Sequence, residues 1–213
     1  MNFLFDEKHP TPLCEIMGRN KSDKGDININ DSWHNYTTLY YSIFKELSEK
    51  NLRIFEFGIG TNNAIGMPGA SLYGWTNFFP NAYVFGADND TGILFNTDKI
   101  KTFYCDQTNP LIIKNMWNEP NLQENFDIII DNGLHTFDAN VCFFENSIHK
   151  LKSKGYYIIE NINNNDERLV INKIKEWQFI YKDCLFDLLT IPSTINNFDN
   201  SVLIIFKPSI GII

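Results

Sequence analysis

The sequence predicts an α/β chain, a doubly wound, mostly parallel seven-stranded sheet with helices on both faces. Three observations carry that prediction. Short apolar runs rich in Ile, Phe, Tyr and Val alternate with amphipathic stretches along nearly the whole chain. Four of the first five runs end in an acidic residue (Asp88, Asp106, Asp131 and Glu160), and the first carries Glu56 near its end. That first run, Leu52 to Phe57, opens at once into a Gly-x-Gly turn at Gly58 and Gly60.

Taken in order, residues 1–30 are polar and interrupted by Pro10, Pro12, Gly18 and Gly25, and they read as an irregular arm. A single domain follows over residues 31–213. Asp31 or Ser32 can cap a helix over 33–49, in which Tyr36, Leu39, Tyr40, Ile43, Phe44 and Leu47 recur at helical spacing. The first strand is expected at 52–57. A loop from Thr61 to Ala70 and a short helix from Ser71 to Phe79 come next. Strands are expected at 83–87, 102–105 and 126–130, with a helix over 109–118 before the last of these. Residues 137–151 are amphipathic, Gly155 is expected to end that helix, and a strand follows at 156–159. A helix over 166–176 and strands over 178–189 and 201–206 complete the pattern.

Composition narrows the class. With 213 residues, 43% of them hydrophobic, the chain suits one domain with a substantial core. The four cysteines are scattered with no CxxC pair, which reads as free thiols in a reducing compartment. No apolar run approaches the roughly 20 residues needed to cross a bilayer, so a cytoplasmic protein without membrane partners is expected. A formal charge of −8 argues against nucleic acid as a partner.

The strand ends point to a ligand. In a parallel sheet the C-terminal strand ends share one edge, so the carboxylates converge there. The glycines let the backbone turn sharply and approach a ligand closely. A dinucleotide-binding turn would want a third glycine where Asn63 stands.

On these residues the chain resembles class I S-adenosylmethionine-dependent methyltransferases, which are Rossmann-like. It most resembles the macrolide-type sugar O-methyltransferases. The resemblance is carried by Glu56-Phe57-Gly58-Ile59-Gly60, Ser22-Asp23-Lys24-Gly25, His34-x-Tyr36 and Pro68-Gly69-Ala70-Ser71-Leu72 with Trp75. Gly86-Ala87-Asp88, Asp106-Gln107, Asp131-Asn132-Gly133-Leu134-His135 and Ile158-Ile159-Glu160 complete it, over residues 20 to 162.

The resemblance implies S-adenosyl-L-methionine as cofactor and a sugar or nucleotide-sugar as acceptor. It assigns Asp88 to the ribose hydroxyls, Asp106 and Gln107 to the adenine side, and the Gly58–Gly60 turn to the methionine portion. Asp131 would lie near the sulfonium. Glu56, Ser71, Lys24 and Tyr36 join the cofactor-binding set, and Trp33, Tyr40, Tyr73 and Trp75 flank it. His135 is the implied general base, because a sugar hydroxyl must lose a proton whose pKa lies far above neutral.

Family members hold a divalent metal at positions that here read Asn132, Glu160 and Asn161. Mg²⁺ prefers carboxylate oxygen, so two neutral amides predict a weak or absent site. Rival readings stay open at this point. They are a small non-carbohydrate acceptor, and a cofactor-binding protein without turnover. The arm could also close over the cleft or exchange with a second copy, leaving a homo-oligomer open.

Overall fold

The computed structural model describes residues 10–25, 34–60, 67–193 and 196–209. Asp31, Ser32, Trp33, Asn63, most of the expected 61–70 loop and parts of the expected arm lie outside those residues.

The described residues form seven strands in one sheet: β1 Arg53–Phe57, β2 Tyr83–Asp88, β3 Ile100–Tyr104, β4 Phe126–Asp131, β5 Leu151–Ile162, β6 Leu185–Thr190 and β7 Ser201–Lys207. Their order is β3-β2-β1-β4-β5-β7-β6, with β7 antiparallel to both neighbours and the rest parallel. The connection reverses direction between β1 and β4, where the crevice of such a sheet opens.

Among the described residues, six α-helices cover the faces: α1 Pro12–Arg19, α2 Tyr36–Phe44, α3 Ala70–Phe78, α4 Pro110–Trp117, α5 Phe137–Ser147 and α6 Glu167–Ile180. Strand periodicity divides the core into two layers. Ile54, Ile128, Ile130, Ile158 and Ile204 join Tyr40, Leu72 and Trp75 on the α1–α3 side. Phe55, Ile129, Tyr157, Ile159 and Ile205 join Trp117, Phe143 and Trp177 on the other. Each such side chain, fully buried, contributes roughly 1.5–3 kcal/mol.

Several element boundaries differ from expectation. The arm is not irregular throughout, because Pro12 to Arg19 form a helix. Proline suits its first turn, where an N–H would lack a partner, and Thr11 Oγ1 accepts from Cys14 N at 3.3 Å. Leu13 and Met17 are buried, and Met17 packs so tightly on Gly74 of α3 that a Cβ there would meet its sulfur at 2.2 Å. The helix over 33–49 is described as α2 followed by a 3₁₀ turn over Lys45–Leu47. β5 begins at Leu151, and Gly155 sits at a shift in the β4–β5 register rather than ending a helix. α6 runs on to Ile180 because Trp177 anchors its last turns against Phe144, ring centroids 4.2 Å apart.

Cys105, Cys142 and Cys184 are free thiols. Among the described residues, no helix is long and apolar enough to cross a membrane.

Candidate active-site cleft

The strand ends and the loops after them enclose a cleft of about 510 Å³. Of the residues expected there, Gly58, Gly60, Ser71, Asp88, Asp106, Gln107, Asn132 and His135 line it. β1 supplies its floor. Gly58 has φ +81°, and a Cβ on it would lie 1.9 Å from the Asn132 carbonyl oxygen, so only glycine lets the β1 and β4 loops meet. Gly60, with φ +107°, keeps the rim open beside Met67 and Pro68.

Asp88, at the end of β2, folds back on this turn. Its Oδ2 accepts from Ile59 N at 3.0 Å and its Oδ1 from Asp90 N at 3.0 Å. Each carboxylate oxygen can accept more than one bond, so Asp88 keeps capacity on the cleft side. Asp106 Oδ1 accepts from Thr108 N at 2.9 Å and from Thr108 Oγ1 at 2.7 Å, which shapes the turn into α4.

Asp131 lies beneath the cleft, 1% exposed, and its Oδ2 has no hydrogen-bond partner. Burial pushes its carboxyl up to about 8, against the pull of hydrogen bonds from Gly133 N and Gln107 Nε2. An orphaned buried acceptor of this kind fits a cationic ligand group above it.

Three expected cofactor residues are corrected. Glu56, Lys24 and Tyr36 have essentially no exposed surface and do not line the cleft. The alternation of β1 and β5 turns Glu56 and Glu160 to the face that carries Ile54 and Ile158, under α2 and α3. There Glu56 accepts from Ser71 Oγ at 2.7 Å and from Trp75 Nε1 at 2.6 Å. Lys24 Nζ donates to Glu160 Oε2 and lies 3.3 Å from Glu56 Oε1. Burial pulls the Lys24 ammonium down, but the two carboxylates outweigh it and hold its pKa above the ordinary lysine value. Tyr36 donates to Asp199 O at 3.1 Å, and Tyr40 donates to Glu160 Oε1 at 2.5 Å. Charged groups buried at this depth must pair with one another, which draws Glu56 and Lys24 inward, while the Tyr36 hydroxyl is held by the backbone of Asp199 and Asn161.

Only one orientation of the Asn132 carboxamide suits its surroundings. Its oxygen accepts from Lys24 Nζ at 3.0 Å, and its nitrogen faces Glu160 Oε2, Asn161 Oδ1 and His135 Nε2 at 3.2, 3.1 and 3.1 Å. His135 therefore accepts at Nε2 and carries its proton on Nδ1. Burial and then the Lys24 charge hold its pKa below the usual histidine value, so the ring is neutral. Its backbone is left-handed, φ 55°, which turns the ring into the cleft.

The residues at the expected metal positions do not fit a divalent cation. Asn132 and Asn161 are neutral, and both oxygens of Glu160 are engaged by Lys24 and Tyr40. Among the described residues, no group of three His, Cys, Asp or Glu could hold a metal ion. What the sequence did not reveal is an amide cluster behind the site. Asn161 Nδ2 donates to His34 Nε2 at 2.8 Å, Asn196 Nδ2 lies 3.3 Å from His34 Nδ1, and Asn200 Nδ2 donates to Asn35 Oδ1 at 2.8 Å. Asn-rich composition hid these positions among many surface asparagines.

No family model matches the chain. It is 29% identical over 153 residues to the 8-demethyl-8-(2-methoxy-alpha-L-rhamnosyl)-tetracenomycin-C 3'-O-methyltransferase of Streptomyces olivaceus, covering 72% of this chain and 37% of that protein. It is 28% identical over 131 residues to demethylmacrocin O-methyltransferase of Streptomyces fradiae, covering 62% of this chain and 32% of that protein. The chain thus spans about a third of the length of the curated relatives it matches. Among solved structures, the MycE methyltransferase of the mycinamycin biosynthetic pathway, in complex with Mg, SAH and mycinamycin VI, superposes with a TM-score of 0.72 at 20% identity. That superposition covers 96% of this chain and 57% of MycE. The chain therefore has the Rossmann-like class I methyltransferase fold and is similar in sequence to the sugar O-methyltransferases of macrolide and tetracenomycin pathways.

Proposed function

We propose that this chain is an S-adenosyl-L-methionine-dependent O-methyltransferase acting on a hydroxyl of a sugar linked to a small molecule. The observation that supports this best is the meeting of Asp88, Asp106 and a neutral His135 along one cleft beside the Gly58–Gly60 turn, with Asp131 buried behind the lining residues Gln107 and Gly133. The activities of the relatives, among them O-methylation of a rhamnosyl-tetracenomycin and of an olivosyl-oleandolide, support the acceptor class. A nucleotide-sugar acceptor is a finer alternative within that class.

When bound, the cofactor supplies an electrophilic methyl group on a positively charged sulfur. The chain's own residues do the rest. The glycine turn lets the backbone approach the ligand, and Asp88 offers acceptor lone pairs to vicinal hydroxyls. Asp131, whose buried carboxyl is held up to about 8, ionises as positive charge arrives above it and offers an oxygen that nothing else occupies. His135 takes the acceptor's proton at Nε2 once that hydroxyl replaces the Asn132 N–H there. General-base assistance of this kind contributes on the order of 10²–10⁴ in rate. Fixing the acceptor oxygen against the donor adds the advantage of proximity.

The test pairs binding with turnover. S-adenosylhomocysteine should bind the purified protein in a calorimetric titration, and labelled donor should methylate a glycosylated acceptor. His135→Ala should keep the first and lose the second. Failure of the cofactor analogue to bind would reject the reading outright.

A further inference from the structure

We propose that the Lys24 ammonium is the resident cation of this site, replacing a divalent metal and setting the tautomer of His135 through Asn132. The inference rests on the methyltransferase reading for its catalytic consequence, but its structural content stands alone.

Four observations carry it. First, a full positive charge with 1% exposure sits between two buried carboxylates, Glu56 and Glu160. Second, the positions where the resemblance implies metal ligands are occupied by Asn132, Glu160 and Asn161, and two of these are neutral. A Mg²⁺ ion there would meet one carboxylate, and that carboxylate already accepts from Lys24 and Tyr40. Third, the Asn132 oxygen accepts from Lys24 Nζ at 3.0 Å, which turns its N–H₂ toward Glu160 Oε2, Asn161 Oδ1 and His135 Nε2 at 3.2, 3.1 and 3.1 Å, so that a donor and not an oxygen faces the ring. An aspartate at that position would have no N–H to give. Fourth, Lys24 does not line the cleft, so it acts through Asn132 as a positioning residue and not by touching a ligand.

A lysine ammonium is a compact charge with three donors, and here its contacts are Glu160, Glu56 and Asn132. With the Asn132 oxygen so held, its nitrogen must face outward. The His135 Nε2 lone pair then points at a donor and the ring proton is confined to Nδ1. The nitrogen that must accept the acceptor's proton is thereby kept in its basic form.

Three measurements test the proposal. Mn²⁺ titrated into S-adenosylhomocysteine-bound protein, followed by electron paramagnetic resonance, should stay free. A site filled below about 100 µM and emptied by Mg²⁺ would overturn the proposal. Nitrogen-15 NMR of the histidines should show His135 as the Nδ1–H tautomer, and Asn132→Asp should move the proton to Nε2. An unchanged His135 signal in that variant would also overturn it. The paired substitution Lys24→Met with Glu160→Gln removes both charges while roughly keeping volume. It should lower kcat by at least about tenfold with donor KM unchanged and should mix the His135 tautomers. Unaltered kcat and tautomer in the folded pair would count against it. Should that pair not fold, the Mn²⁺ and Asn132→Asp results still decide. Loss of cofactor binding by the wild type would sink the methyltransferase reading, whereas the Mn²⁺ and tautomer results bear only on Lys24.

Discussion

Gln107 Nε2 donates to Asp131 Oδ1 at 2.6 Å while Gln107 Oε1 accepts from Leu134 N at 2.8 Å. One buried amide thus ties the loop after β3 to both the end of β4 and the loop that carries His135. Gln107→Leu keeps most of the volume and removes both bonds. It should destabilise the fold by about 1–3 kcal/mol in denaturant unfolding, since a buried carboxyl loses a donor. Calorimetry should show weaker S-adenosylhomocysteine binding as well. Unchanged stability would mean that the two loops are held by other contacts.

Asp131 makes stability depend on pH in a defined direction. Its carboxyl is raised from 3.8 to about 8, first by burial, with Gly133 and Gln107 opposing. A group whose folded pKa is raised imposes no penalty below its unfolded pKa and an increasing one as pH climbs toward the folded value. Asp131→Asn cannot ionise. The difference in melting temperature should therefore move in favour of the variant as pH rises from about 4 to about 8. Parallel curves would show that Asp131 does not titrate in this window. The same variant should weaken binding of S-adenosylmethionine more than of S-adenosylhomocysteine, because only the former carries a positive sulfur.

As the proposed base, His135 would set the acid limb of turnover. Burial and the Lys24 charge hold its pKa below the ordinary 6.5, so the neutral ring persists to lower pH than a free histidine would. Under the proposed role, kcat should stay level from about pH 8 down past about 6.5 and fall only below that. A midpoint above 7 would remove His135 from the role of base.

Asp88 holds Ile59 N and Asp90 N with its two oxygens. Asp88→Ala should lower S-adenosylhomocysteine affinity by roughly 10–100-fold, corresponding to about 1.5–3 kcal/mol for bonds to a charged group. Acceptor KM should change little. An effect on acceptor KM alone would place Asp88 on the wrong ligand.

The Trp75 indole donates to Glu56 at 2.6 Å inside the α3 layer. Trp75→Phe keeps an aromatic ring but withdraws that donor from a carboxylate that is 0% exposed. Thermal and denaturant unfolding should register a loss of about 1–3 kcal/mol, with some cavity contribution added. No loss would show that Ser71 and Lys24 satisfy Glu56 without it.

Much of the frame was legible along the chain. Alternating apolar runs marked all seven strands, although the one expected over 178–189 begins only at Leu185 because α6 continues to Ile180, and acidic residues at strand ends marked the edge where Asp88, Asp106 and Asp131 gather. Gly58 and Gly60 announced a close backbone approach. Local patterns could carry this information because a strand's period and a glycine's freedom are properties of a few neighbouring residues. α1 was missed because prolines at a helix start and within a loop look alike until a buried face exists for the helix to cover.

Residue type alone made Glu56, Lys24 and Tyr36 look like ligand contacts, and the fold turned them inward. Which way they point depends on β1 and β5 presenting Glu56 and Glu160 to the same layer, across β4, with the Lys24 ammonium between them. That relation draws on segments spread from residue 24 to residue 160, and no window of sequence contains it. The chain by itself determined the sheet, its acidic edge and the histidine beside it. Only the tertiary structure decided that a lysine occupies the charged centre, because burial, pairing and the direction of one asparagine amide are fixed by neighbours in space.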